Sequence, residues 1–120
     1  MCVTIHAVPV SGGEQTTITI DKTGPDTGTL STDGQSFDVF NVKASPDGTK
    51  LVCNTRVFFW LVTITVTVLV SHAPDKATVR VTIENAPGHN GTTEYFVTGA
   101  DETNLIQFVV DSHFPVLTQA

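Results

Sequence analysis

The chain reads as a single all-β domain, an antiparallel β-sandwich of seven to nine short strands, Ig-like or jelly-roll-like in character. Three observations lead there. Thr, Val and Ile supply 43 of the 120 residues, the side chains that best fit a pleated, half-buried surface. Apolar residues alternate with polar ones at a period of two, with no sustained 3.6-residue period. Gly, Pro, Asp and Asn punctuate the chain about every 8–14 residues, the spacing of sandwich strands, with a closed barrel as the alternative architecture.

The elements follow in order. Val3, Ile5 and Ala7 alternate with Thr4 and His6 in a first strand, and Pro9 marks it as an edge strand or a strand start. Thr16 to Ile20 alternates again, with Ile18 and Ile20 inward. Asp21 to Gly34 is loop-rich and leaves room for a short strand at Thr29–Ser31. Phe37–Lys43 is a strand, and Ser45-Pro46-Asp47-Gly48 then turns the chain into Lys50–Cys53. Proline presets φ in that turn, aspartate caps it and glycine takes the positive φ. Arg56 to Val70 would span nearly 50 Å if fully extended, so a bulge or bend is expected near Trp60–Leu61. Ser71 to Ala77 turns through Ala73-Pro74-Asp75. Thr78 to Glu84 places Val79, Val81 and Ile83 inward. After the Pro87–Gly91 loop, Glu94–Thr98 and Leu105–Asp111 make two further strands across a Gly99–Asn104 loop.

Composition narrows the function. The formal charge is −6, only 15% of residues are charged and 40% are hydrophobic. That is too apolar for intrinsic disorder, and the chain lacks the basic cluster that binds nucleic acid. Met1-Cys2-Val3 shows neither a basic n-region nor a following apolar h-region, so no secretory signal is read. The apolar run Val57–Val70 is too short for a membrane-spanning helix and its β-branched content favours a strand, so no membrane span is expected. The compartment stays open, with a virion or extracellular location compatible with both leading readings.

Chemistry-bearing residues are sparse. Asp21, Asp26 and Asp33 share one loop region, and Asp101, Glu102 and Asp111 another, but neither spacing matches a dedicated calcium loop. His6, His72, His89 and His113 lack metal-ligand spacing. There is no G-x-S-x-G elbow and no phosphate-binding glycine loop. The expectation is a non-enzyme with no cofactor and no metal. Cys2 and Cys53 are a candidate disulfide that would close about 50 residues; the alternative is two thiols, packed as small hydrophobes. Asn90-Gly91-Thr92 is a glycosylation sequon, relevant only on a secretory route. Thr63, Thr65 and Thr67 share one strand face that Thr78, Arg80, Thr82 and Glu84 extend across a hairpin, and β-propensity accounts for them without ice binding.

Val57-Phe58-Phe59-Trp60-Leu61 is the best pointer to a surface. It is apolar on both faces, so one face serves the core and the other must be covered by a second sheet, a loop or another subunit. Phe58, Phe59, Trp60 and Leu61 are therefore the candidate interface, and self-association is predicted. The leading function is a structural or assembly subunit acting by self-association or by docking on a larger particle, of the virion decoration, tail or capsid-associated type. The alternative is a glycan- or cell-surface-binding module, with Tyr95, His89 and Asn90 as candidate ligand-binding residues.

One short resemblance exists. Thr103-Asn104-Leu105-Ile106-Gln107-Phe108-Val109-Val110-Asp111 resembles the late strand of the fungal immunomodulatory proteins, small Ig-like dimers. It covers nine residues, the N-terminal amphipathic helix of that family has no counterpart here, and no residue role carries over.

Overall fold

The computed structural model describes residues 1–69 and 77–117. Eight antiparallel strands run β1 (Cys2–Pro9), β2 (Thr16–Lys22), β3 (Gly28–Thr32), β4 (Gln35–Ala44), β5 (Lys50–Val57), β6 (Trp60–Leu69), β7 (Ala77–Glu84) and β8 (Gly91–Val97), followed by the helix α1 (Gly99–Asp111). Each strand pairs with its neighbour in sequence, and β1 pairs with β8 through Val8–Phe96 and Pro9–Tyr95. The all-β expectation holds, but the sandwich gives way to an up-and-down closed barrel. Period-two alternation is common to both architectures, because each buries one face of every strand. What separates them is which strands meet, and alternation carries no information about that.

The inner wall is built from matched inward pairs. Val3 opposes Ile20, Ile5 opposes Ile18, Leu51 opposes Val66 and Val68 opposes Val79. All eight are buried. In β4 the inward parity shifts from Val39 to Val42, and the register slips between Phe40 and Lys43. Asn41, at φ 52°, sits inside this bulge, a position that asparagine tolerates better than most residues. The outer wall is hydroxyl-rich. Thr4 and Thr19 oxygens lie 3.0 Å apart, Thr82 and Thr92 oxygens 3.1 Å, and Arg80 reaches Glu94 at 2.8 Å. Apolar inside and polar outside is the reverse of a transmembrane barrel, and among the described residues no helix is long and apolar enough to cross a membrane.

Two expectations for the strands are corrected. Arg56–Val70 is not one bent strand: β5 ends at Val57, Phe58 and Phe59 form a two-residue turn, and β6 starts at Trp60. Leu105–Asp111 is not a strand either, and the nine residues that resemble an immunomodulatory-protein strand lie within α1. Thr98 caps that helix, its hydroxyl accepting from the Asp101 backbone N–H at 3.0 Å. Asp101 and Glu102 stand in the first turn, where the helix dipole favours acids. Leu105, Phe108 and Val109 then form a buried stripe at i, i+3 and i+4. The expected turn at Ser71–Ala77, with His72, falls mostly outside the described residues.

The helix closes one pole of the barrel. In a meander the connections alternate between poles, so the β2–β3 and β4–β5 turns, Met1 and the segment through Leu117 share the helix's pole. Here Phe114 reaches among Ile20, Leu30, Val39 and Leu51, leaving a void of only about 10 Å³. Phe108 meets Phe114 edge-on at 6.4 Å, and Lys22 lies over the Phe114 ring at 4.9 Å while donating to the Ser112 carbonyl. Past the helix, the Ala44 N–H donates to Pro115 O and Leu117 N–H donates to Ala44 O, both at 2.9 Å, which stitches the C-terminal segment to β4. The Ser45–Gly48 turn forms as expected. Asp47 accepts from the Ser45 hydroxyl at 2.7 Å and from the Thr49 hydroxyl and N–H at 2.7 and 3.1 Å. These hydrogen bonds, Thr49's first, hold the Asp47 carboxyl below the usual carboxylate range.

Candidate functional site

The opposite pole is open. It gathers the β1–β2 connection, the Asp33-Gly34 turn, the Phe58-Phe59 turn and the Asn85–Asn90 loop. Inside its mouth lies a cavity of about 250 Å³. Phe37, Val57, Val62, Ile64 and Ile83 form its walls, Ala86 lies at the edge, and Gln35 and His89 bring polar groups to the rim. Thr55 also faces this space, but its hydroxyl is engaged with the Asp38 carbonyl at 2.7 Å. The cavity is therefore chiefly apolar, with no Asp, Glu, Lys or Arg in its lining. Aliphatic residues fill the barrel near α1. Towards the mouth no further element among the described residues plugs it, and the cavity remains.

The aromatic turn stands on the rim of this mouth. Phe58 is 91% exposed and Phe59 95%, while Trp60 and Leu61 at its base are 51% and 44% exposed. Phe58 has φ 54°, the left-handed region in which a two-residue hairpin turn normally places glycine, asparagine or aspartate. Two phenyl rings thus project into solvent from a strained turn. A second hollow beneath the tip, about 240 Å³, is lined by Val57, Phe58, Trp60, Pro87 and His89, so the hairpin and the β7–β8 loop share one surface.

The candidate interface residues Phe58, Phe59, Trp60 and Leu61 are thereby brought together as one tip, at a turn rather than along a continuous strand. The candidate ligand-binding residues lie at the same pole in different roles. His89 is exposed and lines both hollows. The Asn90 side chain accepts from the Ala86 backbone N–H at 2.8 Å, which closes the β7–β8 loop. Tyr95 occupies an inward position of β8, opposite Val79, and is half-buried. Burial and the nearby Asp33 carboxylate raise its phenol pKa, while a hydrogen bond from Thr93 acts the other way. Its ring therefore belongs to the barrel lining more than to an outer sugar-stacking platform.

Cys2 and Cys53 are both free, so the candidate bridge is not formed. Cys2 is exposed on the outer wall. Cys53 faces the core, its thiol 3.7 Å from the Ile64 carbonyl. Side chains on opposite faces of a barrel wall cannot bridge without moving backbone. Burial pushes the Cys53 thiol up to about 12, which leaves it protonated and a poor nucleophile. Among the described residues no group of three or more His, Cys, Asp or Glu is placed to hold a metal ion. His6 and Asp101 do meet, on the outer wall: Asp101 accepts from the His6 backbone N–H at 2.9 Å and lies 3.3 Å from its ring Nδ1. Asp101 thus occupies a β1 donor beyond the two β1–β8 pairs, a role in barrel closure.

The cavity walls were not singled out from the sequence, yet a signal for them exists. Inward residues are odd-numbered in β5 (Leu51, Cys53, Thr55) and even-numbered in β6 (Val62, Ile64, Val66). A continuous strand keeps its parity; a switch across Phe58–Phe59 marks a two-residue turn and puts both flanking runs on one inner wall.

Fold and site together define an eight-stranded up-and-down β-barrel with one helix-closed pole and one open, aromatic-tipped pole. No family model, curated protein or solved structure matches the chain at a significant level.

Proposed function

We propose that the protein is a non-enzymatic structural or assembly subunit that acts by self-association through its aromatic hairpin tip. The observation that carries this reading is the near-complete exposure of Phe58 and Phe59 on a turn whose backbone disfavours them. Folding gains little from either ring. Large aromatics left in water beside an apolar hollow are the residues that dominate binding energy once a partner desolvates them. The sparse charge and the hydroxyl-covered outer wall fit a subunit that packs closely against neighbours.

Sedimentation velocity on the purified protein and on the double variant Phe58→Ser/Phe59→Ser tests it. The expected result is a multimer at micromolar concentration for the parent. The variant should sediment as a monomer and, compared at concentrations low enough for the parent to be monomeric, unfold thermally no earlier than the parent. Equal monomeric masses for both proteins would overturn the reading.

A further inference from the structure

We infer that the open mouth is the receptor for the aromatic tip of a second copy, so that two chains clasp mouth to mouth as a closed, two-fold pair. The inference rests on the tip being a docking element and adds what it docks into. Knob and hole lie on the same pole of the same chain. Under a two-fold axis across that pole, each tip faces the other chain's mouth, and the contact is made twice with identical residues.

Size supports this occupant. An engineered apolar cavity of about 150 Å³ accommodates benzene. The mouth, at about 250 Å³, accepts one phenyl ring with room to spare. Aromatic side chains each offer roughly 150–250 Å², so Phe58, Phe59 and the open parts of Trp60 and Leu61 present roughly 500 Å². Two tips bury roughly 1,000 Å² before the mouth walls they cover are counted, which brings the pair into the range of stable interfaces, roughly 1,200–2,000 Å².

Charge agrees. Residues 57–61 carry none, and the cavity lining carries no acidic or basic side chain apart from the rim imidazole of His89. Glu14, Asp33 and Glu84 stand at the same pole outside this apolar patch, and like charges there oppose pairing. Added salt screens that repulsion and should tighten the pair, whereas it would loosen an interface built on ion pairs.

The test uses concentration-dependent sedimentation together with the emission of Trp60, the chain's one tryptophan. The parent should saturate at two copies with Trp60 emission moving to the blue, and Phe58→Ser/Phe59→Ser should weaken pairing by about 100-fold or more. Ile83→Trp, which fills the mouth and leaves the tip intact, should weaken pairing comparably. Because a core-facing tryptophan can disturb folding, a second arm mixes two single variants, Phe59→Cys and Ala86→Cys, both in a Cys2→Ser background. The expected product on mild oxidation is the mixed disulfide between differently tagged chains, in excess over either same-variant dimer.

If Ile83→Trp folds and still assembles while the tip variant does not, the tip docks elsewhere; the mouth inference falls and the assembly reading stands. If the tip variant assembles like the parent, both fall. Multimers that grow past two copies, or a monomeric parent that floats with phosphatidylcholine vesicles, would also overturn the closed pair.

Discussion

Phe58 holds a left-handed backbone that L-residues other than glycine, asparagine and aspartate avoid, at a cost of about 1–2 kcal/mol. Its ring is almost wholly in water, so little packing offsets that cost. Glycine there removes the steric strain but adds unfolded-state entropy worth about 0.5–1 kcal/mol. Phe58→Gly is therefore expected to stabilise the monomer by about 0.5–1 kcal/mol, read as a higher midpoint in urea at concentrations too low for association, while weakening association. A lower midpoint would show that the ring holds the turn. Turn chemistry is also where the sequence was hardest to read. Gly48 announces its turn, since a positive φ next to Pro46-Asp47 is what glycine supplies. Phe58-Phe59 carries no such mark, because neither residue is one that a two-residue hairpin turn usually takes. Cys53 was equally opaque: its alternation fits a strand, but only the three-dimensional placement shows it facing away from Cys2.

At the scale of elements, strands were legible and the helix was not. Ile18, Ile20, Val79 and the Phe37–Lys43 hairpin read directly from alternation, because each strand buries one face whatever the architecture. In α1, Ile106, Val109 and Val110 are β-branched, and that bias outweighed the Thr98–Asp101 cap and the Leu105, Phe108, Val109 stripe. Tertiary contact decides the matter: the helix is held by what it closes. Gly48 shows how closely. A Cβ there would stand 2.7 Å from a Val110 methyl and 2.8 Å from the Ile106 carbonyl, on a backbone at φ 76°. Gly48→Ala should cost about 1–3 kcal/mol, measured by urea unfolding. A variant as stable as the parent would mean that the turn does not bear on α1. The Asp47 hydrogen bonds in the same turn act in the charged state. Their contribution is present above the ordinary carboxylate range and is lost as pH falls through the lowered folded value.

For the whole molecule, closure separates a barrel from a sandwich, and it depends on a short seam. Only Val8–Phe96 and Pro9–Tyr95 pair β1 with β8, extended by Val10 N–H to Glu94 O at 2.9 Å. Past Val97 the chain leaves the sheet for α1, and Asp101 returns to accept the His6 N–H. Asp101→Ala should therefore destabilise the barrel by about 1–2 kcal/mol, with Asp101→Asn closer to the parent because its amide oxygen still accepts. Equal thermal midpoints for all three proteins would remove Asp101 from the closure. None of this was written in the alternation, because a seam between β1 and β8 is a contact between the two ends of the sheet in sequence.

The one-after-another order of the strands also has a kinetic side. Each of the seven other ladders joins sequence neighbours, so each hairpin can form by closing a short loop, and the entropy of loop closure rises with length. The β1–β8 ladder alone must bring together residues almost ninety positions apart. Non-local pairing of that kind slows folding, and here it is shared by the β1–β8 seam, the contact of α1 with β1 and the C-terminal segment on β4. A meander paired only through its local hairpins would present two unpaired edges and an uncovered apolar face. Crowded growth conditions endanger that species more than the finished barrel.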